Sequence, residues 1–162
     1  MKFIILVLIF GSISFNAFAQ QNSLKLDLKY EITKNDFITV NDTTNHVLGF
    51  AEGSGSVIFN DGKQGTVSVY FVYDYLFGNG DFTEYYDIIR NDDGSKLTLQ
   101  AKGKSVGSSN GYAPLFTGSV IITGGNGVYE GLYGEGSCTG NRNESLTDGA
   151  KVKMSFTIST HN

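Results

Sequence analysis

Residues 118–140 read GSVIITGGNGVYEGLYGEGSCTG, and this stretch decides the fold class. The apolar residues 120–122 form a short strand, which is followed by the run Gly-Gly-Asn-Gly at 124–127. Glycine and asparagine tolerate the positive φ angles of a tight reversal, so the chain is expected to turn back here. Residues 128–139 are the predicted return strand, and its glycines mark places where the strand bends or where no side chain fits. The stretch therefore predicts an antiparallel β-hairpin.

The rest of the chain continues the β pattern on both sides of this hairpin. Apolar and polar residues alternate with a period of two, which is typical of strands with one face in a core. The predicted strands outside the hairpin are 24–32, 46–59, 64–77, 81–90, 96–104 and 150–160. The polar runs between strands are interpreted as loops at 34–45, 106–114 and 141–149. The chain has 21 glycines, one proline and no tryptophan, which favours an all-β protein with many tight turns.

A sheet of about eight strands joined mostly by hairpins needs its edge strands covered or paired, because exposed edge strands promote aggregation. A closed barrel has no edges, and about eight strands leave an interior that holds side chains or one small ligand. We therefore predict an all-β fold, an eight-stranded antiparallel up-and-down β-barrel. A β-sandwich is the competing architecture, although the Cys…Trp…Cys pattern of immunoglobulin domains is absent from the sequence.

The N-terminus has the features of a signal peptide. Lys2 precedes an apolar run at 3–10, and Ala17-Phe18-Ala19 gives the small-x-small pattern of a cleavage site. We predict a signal peptide at 1–19, a single barrel domain at 20–162, and a secreted or periplasmic protein. The apolar run is too short to span a bilayer and no later stretch is long enough, so no membrane span is expected.

Charge and cysteine content restrict the partners and the chemistry. The formal net charge of −4 argues against nucleic acid as a partner. Cys138 is the only cysteine, so no intrachain disulfide can form, and we interpret it as a buried small hydrophobe rather than a reactive thiol. His46 and His161 are far apart in the sequence, so neither a metal site nor a cofactor is predicted.

Residues 121–136, IITGGNGVYEGLYGEG, resemble the corresponding hairpin of the allene oxide cyclase family. The shorter Gly-Gly-x-Gly core is also shared with dirigent proteins. Two further segments resemble the cyclases, namely 91–100, which reads NDDGSKLTLQ, and 30–36, which reads YEITKND. The resemblance implies an eight-stranded barrel with an apolar cavity, often a homotrimer.

The resemblance also implies two catalytic residues. Glu31 matches a buried glutamate on the first strand of the cyclases, and Tyr133 matches the tyrosine of their hairpin. Thr33 stands where the family has an asparagine, and no Ser-Pro pair follows it. By alternation Glu31 shares a face with Lys29, so it faces water unless a bulge or a partner subunit buries it. Both placements of Glu31 remain open at the level of sequence.

Aromatic residues are concentrated on two consecutive strands, where they form either a core or a cavity wall. The predicted ligand-binding residues are Val67, which stands near the position of the cyclases' cavity cysteine, and Phe71, Tyr73 and Tyr86.

Three functions follow as hypotheses. The first is an exported barrel that binds a small hydrophobic molecule, the second an isomerase or cyclase for a reactive lipid-like or polyketide-like substrate. The third is a structural or protein-binding barrel with a filled core.

Overall fold

The computed structural model of the protein describes residues 22–107 and 113–161. These residues form eight antiparallel strands, each paired with its neighbours in sequence, and the last strand pairs with the first to close a barrel. The strands are β1 (Asn22–Thr39), β2 (His46–Phe59), β3 (Gln64–Leu76), β4 (Asn79–Arg90), β5 (Lys96–Val106), β6 (Leu115–Gly125), β7 (Tyr133–Arg142) and β8 (Lys151–His161). The predicted fold class is confirmed. The predicted signal peptide, residues 1–19, lies outside the described residues.

Alternation along the strands fills the barrel. On β3 the inward residues are all at most 5% exposed, whereas their neighbours in sequence face out. These inward residues are Val67, Val69, Phe71, Tyr73 and Tyr75. On β8 the same rule buries Val152, Met154, Phe156 and Ile158. Because β-branched and aromatic residues pack well on a pleated surface, the middle of the barrel is a packed core.

The predicted loop at 34–45 is wrong over its first half, because β1 continues to Thr39. The pairing between β1 and β2 shifts between Ile32 and Lys34, so Thr33 is the extra residue of a β-bulge. A bulge changes the phase of the alternation, because one added residue moves every later side chain to the other face. The interior side of β1 passes from even-numbered to odd-numbered positions, which brings Asn35 to the barrel mouth.

The decisive hairpin forms as predicted, but its return strand begins later. A short 3₁₀ helix, Gly127–Tyr129, follows β6, and β7 begins at Tyr133 rather than at residue 128. Gly127 has a φ of +60°, and a Cβ there would overlap Ser95, so glycine is required at this turn. The turn carries the buried side chain of Tyr129 across the adjacent end of the barrel.

This end of the barrel is closed by one interlocked cluster. Tyr129 stacks on Phe59 with ring centroids 6.2 Å apart, and the Arg90 guanidinium lies 5.0 Å from the centre of the Phe59 ring. Arg90 also donates hydrogen bonds to Asp61 at 3.0 Å, to Asp92 at 3.0 Å and to the Tyr129 hydroxyl at 3.3 Å. We call these five residues the closed end. They leave the opposite end, the mouth, as the place where a ligand would enter.

Within the part of the chain that the structure describes, no helix has the length and apolarity to cross a membrane.

Cys138 is 1% exposed, as the interpretation of a buried small residue required. Burial raises the pKa of its thiol to about 12. The thiol is therefore not an activated nucleophile.

Candidate functional site

A pocket of about 190 Å³ opens at the mouth of the barrel. Its rim includes the exposed ring of Phe37 and the partly buried Val47 and Leu146, whereas its floor is made by side chains that are at most 5% exposed. The residues around it are Asn35, Phe37, Val47, Tyr73, Tyr75, Gly78, Arg142, Ser145 and Leu146. An apolar cavity of about 150 Å³ is enough to hold benzene, so this pocket has the size of a single-ring molecule.

Two stacked tyrosines form the aromatic part of the floor. The ring centroids of Tyr73 and Tyr75 lie 4.8 Å apart, and the two ring planes make an angle of 28°. The Tyr73 hydroxyl donates a 2.7 Å hydrogen bond to Asn35 Oδ1, and Asn35 Nδ2 donates to the carbonyl of Leu146 at 3.0 Å. Asn35 therefore joins the floor to the loop between β7 and β8. Burial raises the pKa of both tyrosines, which keeps their hydroxyls neutral donors.

Arg142 supplies the positive charge of the floor. It is the last residue of β7 and is 3% exposed. Its Nε donates a 2.7 Å hydrogen bond to the carbonyl of Glu144, and its guanidinium lies 5.8 Å from the centre of the Phe116 ring. Burial lowers the pKa of Arg142, because removal from water disfavours the charged form. The guanidinium still carries its charge, since arginine does not deprotonate in proteins.

A buried carboxyl group, Glu84, lies on the inner side of this floor. Glu84 is 4% exposed, and its oxygens accept hydrogen bonds from the hydroxyls of Tyr30, at 3.5 Å, and of Tyr86. Burial raises the pKa of Glu84 to about 8, opposed in part by the Tyr30 hydrogen bond and the charge of Arg142. Glu84 is therefore mainly protonated at neutral pH. Glu84 does not line the mouth pocket, although it lies close enough to Tyr75 of the floor to raise the pKa of that hydroxyl.

The rim of the mouth is held by a histidine between two carboxylates. His46 Nδ1 lies 2.7 Å from an Asp42 oxygen, and His46 Nε2 lies 2.6 Å from an Asp74 oxygen. The hydrogen bonds with Asp42 and then Asp74 raise the pKa of His46. This bridge ties the loop between β1 and β2 to β3, directly beside Val47 of the pocket.

The four predicted ligand-binding residues all lie inside the barrel, at different depths. Tyr73 forms part of the pocket floor. Phe71 neighbours it, with ring centroids 5.8 Å apart, but does not line the pocket. Val67 is buried deeper in the core, and Tyr86 hydrogen-bonds Glu84. Of these four, Tyr73 is the residue that a ligand in the mouth would touch.

The two predicted catalytic residues lie on the outside of the barrel, apart from each other. The Glu31 side chain is exposed and borders a shallow outer hollow together with Lys29 and Lys151. Tyr133 is 58% exposed and stacks on His161 near the closed end. The bulge at Thr33 comes after Glu31 and so does not turn it inward. The structure does not bring Glu31 and Tyr133 into one site.

The residues that sequence analysis missed are Asn35, Glu84 and Arg142. A signal for Glu84 was present, because Glu84 is two residues before the predicted ligand-binding residue Tyr86 and therefore falls on the same alternating face of the strand. Arg142 was assigned to a loop, although it continues the β7 alternation that buries Cys138. Asn35 carried no such signal, since its inward direction depends on the bulge. Among the described residues, no three His, Cys, Asp or Glu side chains are grouped as a metal site would require.

Comparison with known proteins gives structural neighbours only. No family model and no curated protein matches the sequence. The solved pterocarpan synthase dirigent protein GePTS1 is 12% identical, with a TM-score of 0.47 over 93% of this chain and 95% of that one. A second pterocarpan synthase dirigent protein, PsPTS1, is 11% identical, with a TM-score of 0.47 over 88% and 99%. Both neighbours are dirigent proteins, and the resemblance of the hairpin motif to allene oxide cyclases stays a prediction.

Proposed function

We propose that this protein is an exported barrel that binds one small, mainly apolar molecule in the mouth pocket. The observation that carries the proposal is the contrast between the two ends. One end is closed by Arg90 and two stacked rings, whereas the other opens onto a pocket with an apolar rim and an aromatic floor. Concave, mostly apolar pockets with a few placed polar groups are typical of small-molecule sites. The predicted signal peptide at 1–19 supports export.

The size of the pocket restricts the ligand. At about 190 Å³ it is smaller than the roughly 300–1,000 Å³ of most drug-sized sites. A flat ring can stack against Tyr73 while apolar substituents contact Val47 and Leu146 at the rim. A long lipid chain does not fit, because the packed core below the floor leaves it no path into the barrel.

A titration monitored by NMR tests this proposal. Adding 4-methylphenol to ¹⁵N-labelled protein should shift the backbone signals of Asn35, Val47, Tyr75 and Leu146. Val47→Phe fills the pocket and should abolish these shifts. Val128→Phe, an identical change at an exposed position near the closed end, is the matched control and should leave them unchanged. Shifts that avoid the mouth, or that persist in Val47→Phe, would contradict the proposal and favour a barrel with a structural or protein-binding role.

A second candidate function is an isomerase, and Glu84 is the observation that favours it. A buried carboxyl with a pKa near neutrality, next to two tyrosine hydroxyls, has the properties of a general acid or base. Such a reaction requires the substrate to reach deeper into the barrel than the mouth pocket, since Glu84 does not line the pocket. Glu84→Gln distinguishes the two functions, because it should leave 4-methylphenol binding intact under either and abolish turnover under the isomerase alone.

A further inference from the structure

The chain has two arginines, and they differ in whether a carboxylate lies next to the guanidinium. Arg90 at the closed end has carboxylate oxygens of Asp61 and Asp92 at 3.0 Å. For Arg142 at the mouth, no described carboxylate lies within 4.0 Å of the guanidinium. A buried charge without a partner is unfavourable, because it has lost its hydration and forms no ion pair that compensates for this loss. The mouth therefore holds a positive charge that lacks a counter-ion within the described residues.

The terminal nitrogens of Arg142 keep some solvent exposure, and the residue borders the pocket. Within the described residues, Nε is the one side-chain nitrogen of Arg142 that makes a hydrogen bond, to the Glu144 carbonyl. Every fully buried side-chain nitrogen or oxygen in the described part of the chain has a hydrogen-bond partner. The two Nη atoms, which have none, are thus not fully buried, and Arg142 borders the mouth pocket. Their N–H groups are available to a ligand.

The surroundings of Arg142 leave this charge uncompensated at neutral pH. Of the described acidic and basic residues, Glu84 and Arg142 are the two that are buried. Glu84 is mainly protonated, since burial raises its pKa to about 8. The hydroxyls of Tyr30, Tyr73 and Tyr75 also influence Arg142 electrostatically, and burial keeps them neutral. The interior of the barrel therefore has one net positive charge, which a single negative charge would balance.

We propose that Arg142 anchors a carboxylate group of the ligand, so that the natural ligand is a small ring-bearing monocarboxylate. This inference rests on the proposed function and adds the chemical class of its ligand. The planar guanidinium donates two parallel hydrogen bonds to a carboxylate, and the pair is strong where water is excluded. The ring lies against Tyr73 and Tyr75, and the apolar rim covers its far edge. A dianion such as a phosphate monoester exceeds the single positive charge of the site.

Three matched probes test the inference by calorimetry at neutral pH. Benzoate carries the proposed anion, benzamide is its neutral isostere, and phenyl phosphate carries a dianion. Benzoate should bind about tenfold more tightly than benzamide or better, because hydrogen bonds to a charged group are the strong ones. Equal binding of benzoate and benzamide would overturn the inference while leaving the proposed function standing. Tighter binding of phenyl phosphate than of benzoate would overturn the assignment of a carboxylate.

Variants of Arg142 test whether this residue causes the preference for benzoate over benzamide. Arg142→Met should lower benzoate affinity to that of benzamide, and Arg142→Lys should restore part of the difference because it keeps the charge. Arg90→Lys is the control at the other end of the barrel and should change neither affinity. A benzoate preference that survives in Arg142→Met would overturn the inference. If none of the probes binds the wild type, both the inference and the proposed function fail.

A measurement on the wild type covers the case in which Arg142→Met does not fold. The two arginines give two side-chain Nε–Hε signals in a ¹⁵N spectrum, and Arg90→Lys identifies which is which. Benzoate should shift the Arg142 signal, benzamide should shift it much less, and the Arg90 signal should stay in place as an internal reference. An Arg142 signal that benzoate leaves unchanged would refute the anchor.

Discussion

Replacing Glu84 by glutamine tests whether a protonated carboxyl is buried in the barrel. Glutamine is close in shape to the protonated acid and also has one carbonyl oxygen and one donor group, but it cannot ionise. The groups that face Glu84 are Tyr30 from β1, Tyr75 from β3, Tyr86 from β4, and Cys138 and Arg142 from β7. Burial raises the pKa of the Tyr30 and Tyr75 hydroxyls and of the Cys138 thiol, so these groups stay neutral at the pH where Glu84 titrates.

The raised pKa of Glu84 sets both the sign and the size of the effect. Its pKa rises from 4.5 in the unfolded chain to about 8 in the barrel, so its contribution to stability is complete below pH 4.5 and is lost as the pH rises toward 8. Each pH unit in this window costs the wild type about 1.4 kcal/mol of unfolding free energy relative to Glu84→Gln. Between about pH 5.5 and about pH 7.5 the relative loss is about 3 kcal/mol.

Urea unfolding followed by far-UV circular dichroism measures this difference at the two pH values. The unfolding free energy of the wild type minus that of Glu84→Gln should fall by about 3 kcal/mol from the lower to the higher pH. Glu31→Gln, which removes an exposed carboxylate, controls for the loss of one surface charge. A difference that stays constant, or that grows with pH, would refute a buried protonated Glu84.

Three further predictions concern the mouth, the closed end and the cysteine. Gly49→Ala should weaken 4-methylphenol binding severalfold, because the added Cβ overlaps the Tyr73 ring and must move it, and the NMR titration measures this. Arg90→Gln should lower the unfolding free energy by about 2 kcal/mol in urea, because it removes the charged hydrogen bonds to Asp61 and to its other partners. Cys138 should react with a disulfide reagent at pH 8 only after denaturation, since its pKa is about 12 and it is buried.

Each of these predictions has a result that contradicts it. Gly49→Ala with unchanged binding would mean that the position of Tyr73 does not matter to the pocket. Gly124→Ala is the comparison, because Gly124 is in β6 near the closed end and an added Cβ there approaches only the Thr98 hydroxyl, at 3.1 Å. An Arg90→Gln protein as stable as the wild type would show that the closed end holds without its ion pairs. Fast thiol modification of the native protein would show that Cys138 is reached through openings of the barrel.

The barrel could be predicted because its pattern is local. Strands with a period of two, such as residues 150–160, specify by themselves which side chains face the core. The glycine-rich run within 118–140 predicted a chain reversal. The closed barrel was predicted because exposed strand edges promote aggregation. What local pattern could not supply is the exact path of the hairpin, since the 3₁₀ turn before Tyr133 depends on the packing of Tyr129 against Phe59 from a distant strand.

The site was harder to predict than the fold, for a physical reason. Glu31 was assigned by resemblance, whereas its own alternation placed it on the charged face, and the structure has it exposed. The buried carboxyl is Glu84, whose burial becomes tolerable only through hydroxyls from other parts of the chain. Asn35 enters the mouth because of a one-residue bulge at Thr33, and no propensity rule locates such a bulge.

A crystal structure with 4-bromobenzoate would show where a ring-bearing carboxylate binds, because bromine can be located by its anomalous signal. We expect one bromine peak at the mouth between Val47 and Leu146, with the carboxylate within hydrogen-bond distance of the Nη atoms of Arg142. A peak in the outer hollow beside Glu31, or a mouth that stays empty at saturating ligand, would contradict this expectation.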